Sequence, residues 1–163
     1  MGKRGYVGIG LHFPKNPINV GSVLRAADCF GADFIATSGK RYTRAPTDVG
    51  NAYQHIPLIQ VDEDLSQIIP YNCIPIAIEL VEGAQPLHTF THPERAFYVF
   101  GPEDSSLGKE VLNWCQQVLY VPTSLALNLA ACVNIVLYDR AAKRNEWPEP
   151  KGIRNRKELT HHG

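Results

Sequence analysis

The 163-residue chain lacks an excess of charge of either sign, since it has 16 basic and 16 acidic side chains. That balance disfavours a protein that coats nucleic acid without specificity, because such binding depends on a large positive charge. Hydrophobic residues make up 44% of the chain and charged residues 20%, which predicts a folded, soluble domain rather than a disordered segment.

The chain also lacks a hydrophobic run that predicts a membrane helix or a secretory signal. The apolar stretch Leu125–Tyr138 is too short to cross a bilayer, which takes about 20 residues. Met1–Leu11 has neither the apolar core nor the small-residue cleavage site of a signal peptide. We therefore expect a cytoplasmic protein with no membrane partner.

Cysteine is present but not at the spacings that bind metal. No two cysteines form a Cys-x-x-Cys motif, and no histidine stands beside them at ligand spacing, so we predict no metal site. Each cysteine lies among apolar residues, and we interpret all of them as small buried side chains in a reducing compartment. The four are Cys29, Cys73, Cys115 and Cys132.

The charges are unevenly distributed along the chain. Residues 1–44 carry seven basic and two acidic side chains, and residues 139–163 carry seven and four. Between them, residues 45–138 carry two basic and ten acidic side chains. If the two ends meet in the fold, they form a basic face on a neutral protein. Scattered, solvated lysines and arginines explain the same counts, so both interpretations stay open.

Short apolar runs alternate with helical segments along most of the chain. The runs are rich in β-branched and aromatic residues, which predicts strands buried on both faces. Their alternation with helices predicts an α/β fold, a parallel sheet flanked by helices. The predicted strands are Tyr6–Leu11, Phe34–Thr37, Leu58–Val61, Ile74–Leu80, Ala96–Phe100 and Val118–Val121, and the predicted helices are Asn19–Phe30, Asp64–Ile69, Ser105–Cys115 and Ala126–Arg144.

The last predicted helix is apolar on all sides over its first part. Leu125–Tyr138 contains no charged residue, and its strongly polar residues are Asn128 and Asn134. Such a helix has to be covered all round, either by a partner subunit or by the rest of the chain. After Arg144 the sequence turns polar and basic, so we predict one domain over residues 1–145 and an exposed, flexible tail over 146–163.

Three segments carry residues suited to chemistry, each between a predicted strand and the next helix. They are Asn16–Arg25, Phe100–Gly108 and Val121–Ala130. Ligands of parallel α/β sheets bind at the carboxyl ends of strands, where such segments lie. In the first segment, Asn19 or Ser22 is suited to cap the helix that follows. None of the three is a phosphate-binding glycine loop, which argues against a nucleoside triphosphate site.

Arg25 is the charged residue of an otherwise apolar or small helix segment. An arginine there needs a partner, which is either a phosphate or a carboxylate of Asp28 or Asp33. Glu103 and Asn128 also have structural explanations that need no ligand. Glu103 is suited as a favourable charge at a helix N-terminus, and Asn128 as a hydrogen-bonded polar group in the core.

The order of these segments is more specific than any one of them. The chain reads Asn-x-x-x-x-x-Arg from Asn19, then Gly-Pro-Glu-Asp-x-x-Leu from Gly101, then Val-Pro-Thr from Val121 and Leu-Asn-Leu-Ala from Leu127. With this order the chain resembles the SpoU/TrmH family of RNA 2′-O-ribose methyltransferases, in the SPOUT superfamily. The resemblance covers about residues 6–144.

The resemblance implies an α/β fold with a C-terminal trefoil knot, a homodimer, and S-adenosylmethionine bound in the knot. Both the knot and the dimer would cover the apolar last helix. By position, the resemblance implies the catalytic residues Arg25, Asn19, Glu103 and Asn128. It implies a cofactor site formed by Leu80, Gly101, Val121 and Leu127, with Glu79 and Pro122 beside them.

The RNA substrate is less closely specified. No RNA-binding domain is visible beside the catalytic core, which favours tRNA over rRNA by analogy with relatives. One position departs from the family pattern, since Ala126 stands where Ser or Cys is common. A catalytically weakened RNA-binding protein of the same fold therefore remains an alternative. Basic side chains suited to the RNA backbone are Lys40, Arg41, Arg44, Arg154, Arg156 and Lys157.

Overall fold

The protein is described by a computed structural model over residues 5–39 and 54–159. Seven strands form one sheet in the order β3-β2-β1-β6-β4-β7-β5, and every pair in it is parallel. The strands are β1 (Tyr6–Leu11), β2 (Phe34–Ser38), β3 (Leu58–Val61), β4 (Ile74–Ile78), β5 (Gln85–Pro86), β6 (Arg95–Phe100) and β7 (Gln117–Tyr120). The α-helices are α1 (Pro17–Phe30), α2 (Gly108–Trp114) and α3 (Leu129–Arg144).

This architecture confirms the predicted parallel α/β fold. The predicted strands are all present, with ends that shift by up to two residues. The additional strand β5 is two residues long, too short for an alternating or apolar pattern to reveal it. Gly31 ends α1 in the left-handed conformation with φ 69°, as its position predicted.

The beginnings of the helices differ from the predictions because other residues cap them. Asn16 caps α1, and its side chain accepts a hydrogen bond from the Ile18 amide at 2.9 Å. The prediction that Asn19 or Ser22 caps this helix is therefore wrong. The last helix begins at Leu129 rather than Ala126, because Asn128 has extended backbone and caps it by accepting from the Ala131 amide at 2.8 Å.

The centre of the sheet depends on close packing of two phenylalanines against β1. The rings of Phe34 and Phe97 stack with their centroids 5.8 Å apart. A Cβ atom on Gly8 would overlap the Phe34 ring, and one on Gly10 would lie 2.7 Å from the Phe97 ring. Glycine at these two positions lets aromatic rings of neighbouring strands lie directly over the backbone of β1.

Helix α3 is held to the sheet by a buried polar network. The ring nitrogens of His92 lie 2.6 Å from the Tyr98 hydroxyl and 2.6 Å from the Asp139 carboxylate. Arg140, which is buried, donates to the Tyr98 oxygen at 3.0 Å, so the hydroxyl hydrogen of Tyr98 is available to His92 Nδ1. His92 Nε2 then donates to Asp139, which also pairs with Lys143 at 2.9 Å. The network is satisfied with His92 neutral.

One face of α3 remains exposed, although its other face is deep in the core. Val133 and Val136 are completely buried, whereas Ile135 is 38% exposed and Tyr138 is 58% exposed. Tyr138 also contacts Trp147, with ring centroids 5.2 Å apart. The described part of the chain therefore covers only one side of the apolar helix.

The cysteines are free thiols, and one of them contradicts the prediction that all are buried. Cys73 is buried and Cys115 and Cys132 are partly buried, but Cys29 is exposed. Cys29 lies four residues after Arg25, on the side of α1 that faces away from the core, so its apolar neighbours in sequence do not surround it in space. Within the described residues, no helix combines the length and the apolar character that a membrane span requires.

We predict that the free energy of unfolding falls as the pH is lowered through about 6.5. Burial lowers the pKa of His92 below its ordinary value, against the opposing effect of Asp139. An unfolded chain therefore takes up a proton that the folded chain does not, and low pH favours the unfolded state. Denaturant unfolding at about pH 7.5 and about pH 5.5 measures the difference.

The variant His92→Gln should show a shallower pH dependence, with a remainder from His12, whose pKa burial also lowers. His88→Gln is the matched control, since His88 is exposed in the same segment and should keep the wild-type dependence. An unchanged pH dependence in His92→Gln would contradict the prediction.

Candidate functional site

A cavity of about 370 Å³ lies at the carboxyl ends of three neighbouring strands. Its wall comes from the segments that follow β4, β6 and β7, which are adjacent in the sheet. The volume is within the range of small-molecule sites, and the position is where parallel α/β sheets bind ligands. All six residues predicted to bind a cofactor line this cavity: Glu79, Leu80, Gly101, Val121, Pro122 and Leu127.

Glu103 joins the cavity to the first sequence segment. Its Oε1 accepts a hydrogen bond from the Asn19 side chain at 2.7 Å, and its Oε2 accepts from the Lys15 amide at 3.2 Å. Burial alone would raise the pKa of the Glu103 carboxyl, but the hydrogen bonds from Asn19 and the backbone outweigh it and hold the pKa below its ordinary value. Glu103 is therefore ionised near neutral pH and acts as a hydrogen-bond acceptor.

Glu79 lines another part of the same wall. Its Oε2 accepts a hydrogen bond from the Leu107 amide at 2.7 Å, which ties the end of β4 to the loop before α2. Leu107 is buried, so this bond fixes the course of the loop that contains Gly101 and Glu103. Glu79 thus attaches this loop to β4, and Glu103 attaches it to the segment that begins α1.

The other two predicted catalytic residues lie at the edge of the site or beyond it. Asn128 is exposed and is used as the cap of α3, while its neighbours Leu127 and Leu129 line the cavity. Arg25 is on the exposed face of α1, beyond the cavity wall and six residues after Asn19. Asp33, one of the two carboxylates suggested as partners of Arg25, accepts a 2.8 Å hydrogen bond from the Val7 amide.

The structure describes half of the predicted RNA-contacting residues. Arg154, Arg156 and Lys157 are exposed, in a tail whose residues from Pro148 to Leu159 are all exposed. Lys40, Arg41 and Arg44 lie outside the described residues. Whether the two groups form one basic face therefore stays a prediction.

Several residues of the wall are not among the predicted site residues. Among them are Ile78, Phe100, Tyr120 and Cys132, which read as ordinary strand or helix residues in the sequence. Burial raises the pKa of the Cys132 thiol to about 11, so Cys132 is an uncharged wall residue at neutral pH. Its only sequence signal is a position one helical turn after Asn128. Ala126, where the family pattern has a hydroxyl or thiol, also lines the cavity.

Several solved structures similar to this chain are those of methyltransferases. The SpoU methyltransferase AviRb from Streptomyces viridochromogenes in complex with AdoMet matches 88% of this chain and 62% of its own length, at 18% identity and a TM-score of 0.74. An AdoMet-bound rRNA methyltransferase from Sinorhizobium meliloti matches 86% of this chain and 57% of its own length, at 20% identity and a TM-score of 0.74. The chain thus spans about three-fifths of both proteins.

A third similar structure concerns the 2-OH methylation of C/U34 on tRNA. It matches 89% of this chain and 94% of its own length, at 22% identity and a TM-score of 0.75. At these identities the likeness shows a shared fold. No curated protein sequence matches the chain.

The sequence pattern of the SpoU rRNA Methylase family matches residues 7–138, which include all but the first residue of β1, the cavity wall and most of α3. The match therefore contains the complete site and most of the domain. The chain belongs to the SpoU RNA methyltransferase family.

Proposed function

We propose that the protein transfers a methyl group from S-adenosylmethionine to a ribose 2′-hydroxyl of RNA, with tRNA as the favoured substrate. The observation that carries this proposal is the single cavity that all six predicted cofactor residues line, with Glu103 linking its wall to Asn19. Membership of the SpoU family supports RNA methylation as the reaction class. A cytoplasmic location fits this function.

The cavity suits a cofactor that has both apolar and polar parts. Leu80, Val121 and Leu127 offer apolar surface for an adenine ring, while Gly101 lines the wall with backbone atoms, which include hydrogen-bonding groups. The similar structures of AviRb and of the S. meliloti rRNA methyltransferase hold AdoMet, which supports the same cofactor here. The C-terminal knot stays a prediction, and we expect it to include the loop after β7 that lines this cavity.

The chemistry requires little from the protein beyond binding and orientation. Bound S-adenosylmethionine supplies an activated methyl group, and the residues of this chain have to place a ribose hydroxyl against it. Ionised Glu103 holds Asn19 and the start of α1 in place beside the cavity. Arg25, farther along α1, then serves to hold an RNA phosphate near the reacting ribose, because guanidinium rarely loses its proton in proteins.

The exposed face of α3 favours a homodimer. An apolar groove of about 510 Å³ runs along this face, and its lining includes Phe30, Val121, Ile135 and Tyr138. Pro122 lines both this groove and the cofactor cavity, so a second subunit seated here would also border the active site. A partner subunit supplies the cover that the apolar helix needs.

One of the similar solved structures concerns methylation of tRNA, which supports tRNA as the proposed substrate. The basic tail residues Arg154, Arg156 and Lys157 are exposed and suited to contact the backbone of the substrate. We retain residues 1–145 as the methyltransferase domain and 146–163 as its tail.

A weakened RNA-binding protein is the second candidate function. The observation that favours it is Ala126, which lines the cavity and brings no hydroxyl or thiol to it. Saturable binding of S-adenosylmethionine without methyl transfer to tRNA or rRNA would support this alternative. Ala126→Ser is then the first substitution to test for a gain of activity.

We predict that Leu127→Trp weakens the binding of S-adenosylmethionine at least about tenfold. The indole ring would fill part of the cavity that Leu127 lines. Isothermal titration calorimetry measures the Kd of both proteins. Leu159→Trp is the control, since Leu159 is exposed in the tail and should keep the wild-type affinity. Equal affinities for Leu127→Trp and the wild type would place the cofactor elsewhere.

We predict that Arg25→Ala reduces methyl transfer to bulk tRNA by at least about a hundredfold, a loss typical of removing a group that acts in the transition state. Labelled S-adenosylmethionine and digestion of the product to nucleosides would show the label on ribose. Cofactor affinity should remain unchanged, because Arg25 lies beyond the cavity wall. Arg25→Lys separates two roles, since a paired contact with phosphate predicts near-complete loss and a simple charge predicts partial activity.

We predict that Ile135→Asp converts a dimer to monomers, because it places a charge in the apolar groove. Sedimentation velocity measures the change. Ile153→Asp is the matched control, since Ile153 is 79% exposed in the tail and outside the groove. A wild-type protein that sediments as a monomer would contradict the dimer directly.

A further inference from the structure

Lys15 lies at the rim of the cavity and is held there by Asp104. Its Nζ is 2.7 Å from Asp104 Oδ1 and 2.9 Å from Oδ2. The two neighbours of Asp104 in the chain, Glu103 and Ser105, both line the cavity wall. The Lys15 side chain is 59% exposed and that of Asp104 66%, so the pair lies on the solvent side of this rim.

The backbone of Lys15 is fixed more firmly than its side chain. Its amide donates to Glu103, which also accepts from Asn19, so Lys15 and Asn19 are attached to the same carboxylate. The charged end of Lys15 is therefore placed near the cavity, while its solvated ion pair adds little to stability because water screens both partners. A stabilising role does not account for the position of this charge.

The rim of the cavity around Lys15 carries several negative charges. Glu79, Glu103 and Asp104 bring three carboxylates to or next to the cavity wall. An RNA backbone that approaches such a rim is repelled unless a cation faces it. Lys15 is a cation at this rim, and a pair of exposed side chains exchanges partners readily.

We propose that Lys15 is a phosphate-binding residue of the RNA site, held in position by Asp104 and transferred to a backbone phosphate when RNA binds. This role rests on the proposed function, since it names a contact of the same substrate. The RNA site then contains two cations, Lys15 at the mouth of the cavity and Arg25 on α1. Asp104 is then a positioning residue that competes with the RNA for the ammonium group.

The alternative is that the pair only ties two loops together or neutralises Asp104. The two accounts differ once Asp104 is replaced by asparagine. If Lys15 binds phosphate, removing its side chain still weakens RNA binding in the Asp104→Asn background. If it serves only Asp104, the same removal has no further effect there.

The test measures the affinity of fluorescently labelled bulk tRNA for the full chain at several salt concentrations. We expect Asp104→Asn alone to bind at least as tightly as the wild type, because it frees Lys15. We expect the double variant Lys15→Ala, Asp104→Asn to bind about tenfold more weakly than Asp104→Asn, with a salt slope smaller by about one. Lys109→Ala in the Asp104→Asn background removes the same charge from an exposed position of α2 and should change affinity less than about twofold.

Equal affinities for Asp104→Asn and the double variant would overturn the role of Lys15, as would a loss of affinity in Asp104→Asn as large as in Lys15→Ala. Binding of S-adenosylmethionine by each variant shows that the site remains folded. If the wild type methylates tRNA but removal of the Lys15 side chain does not change RNA affinity, the proposed function remains intact. A wild type that binds no RNA removes both proposals.

Discussion

The geometry of the site depends on one hydrogen-bonded carboxylate. Glu103 accepts from the side chain of Asn19 and the amide of Lys15, and thereby joins the loop after β6 to the segment that begins α1. These segments are more than 80 residues apart in the chain. The ion pair between Lys15 and Asp104 joins the same two segments, but on the solvent side. The hydrogen bonds from Asn19 and the backbone also hold the pKa of Glu103 below its ordinary value.

Helix α3 serves two regions of the molecule. Its first residues close the cavity, and its second half is anchored by the buried contacts of Arg140 and Asp139 with the segment before β6. Because those polar groups are satisfied, the helix has a defined position despite its charged residues. The same helix exposes Ile135 and Tyr138 in a groove that Pro122 also lines, so the proposed dimer surface and the cavity share one loop.

The predicted and observed elements differ where local signals compete. Asn16, Asn19 and Asn128 all suit a helix N-terminus, but only Asn16 and Asn128 cap one, because Glu103 engages Asn19 from a distant loop. Cys29 was predicted to be buried, but its apolar neighbours in sequence lie on the opposite face of α1 and leave the thiol exposed. The wall residues Tyr120 and Cys132 were not predicted, because they read as an ordinary strand residue and an ordinary helix residue and only the fold brings them to the cavity.

The sequence by itself determined the parallel α/β class and the set of segments that meet at the site. Strands buried on both faces are nearly continuous apolar runs, and loops that bind ligands follow them with glycine, proline and polar residues, so both features are local. Only the tertiary structure decided the sheet order, the closure of the cavity and the pairing of Lys15 with Asp104. Those contacts join residues far apart in the chain, and a local sequence pattern does not show which distant charge a side chain will pair with.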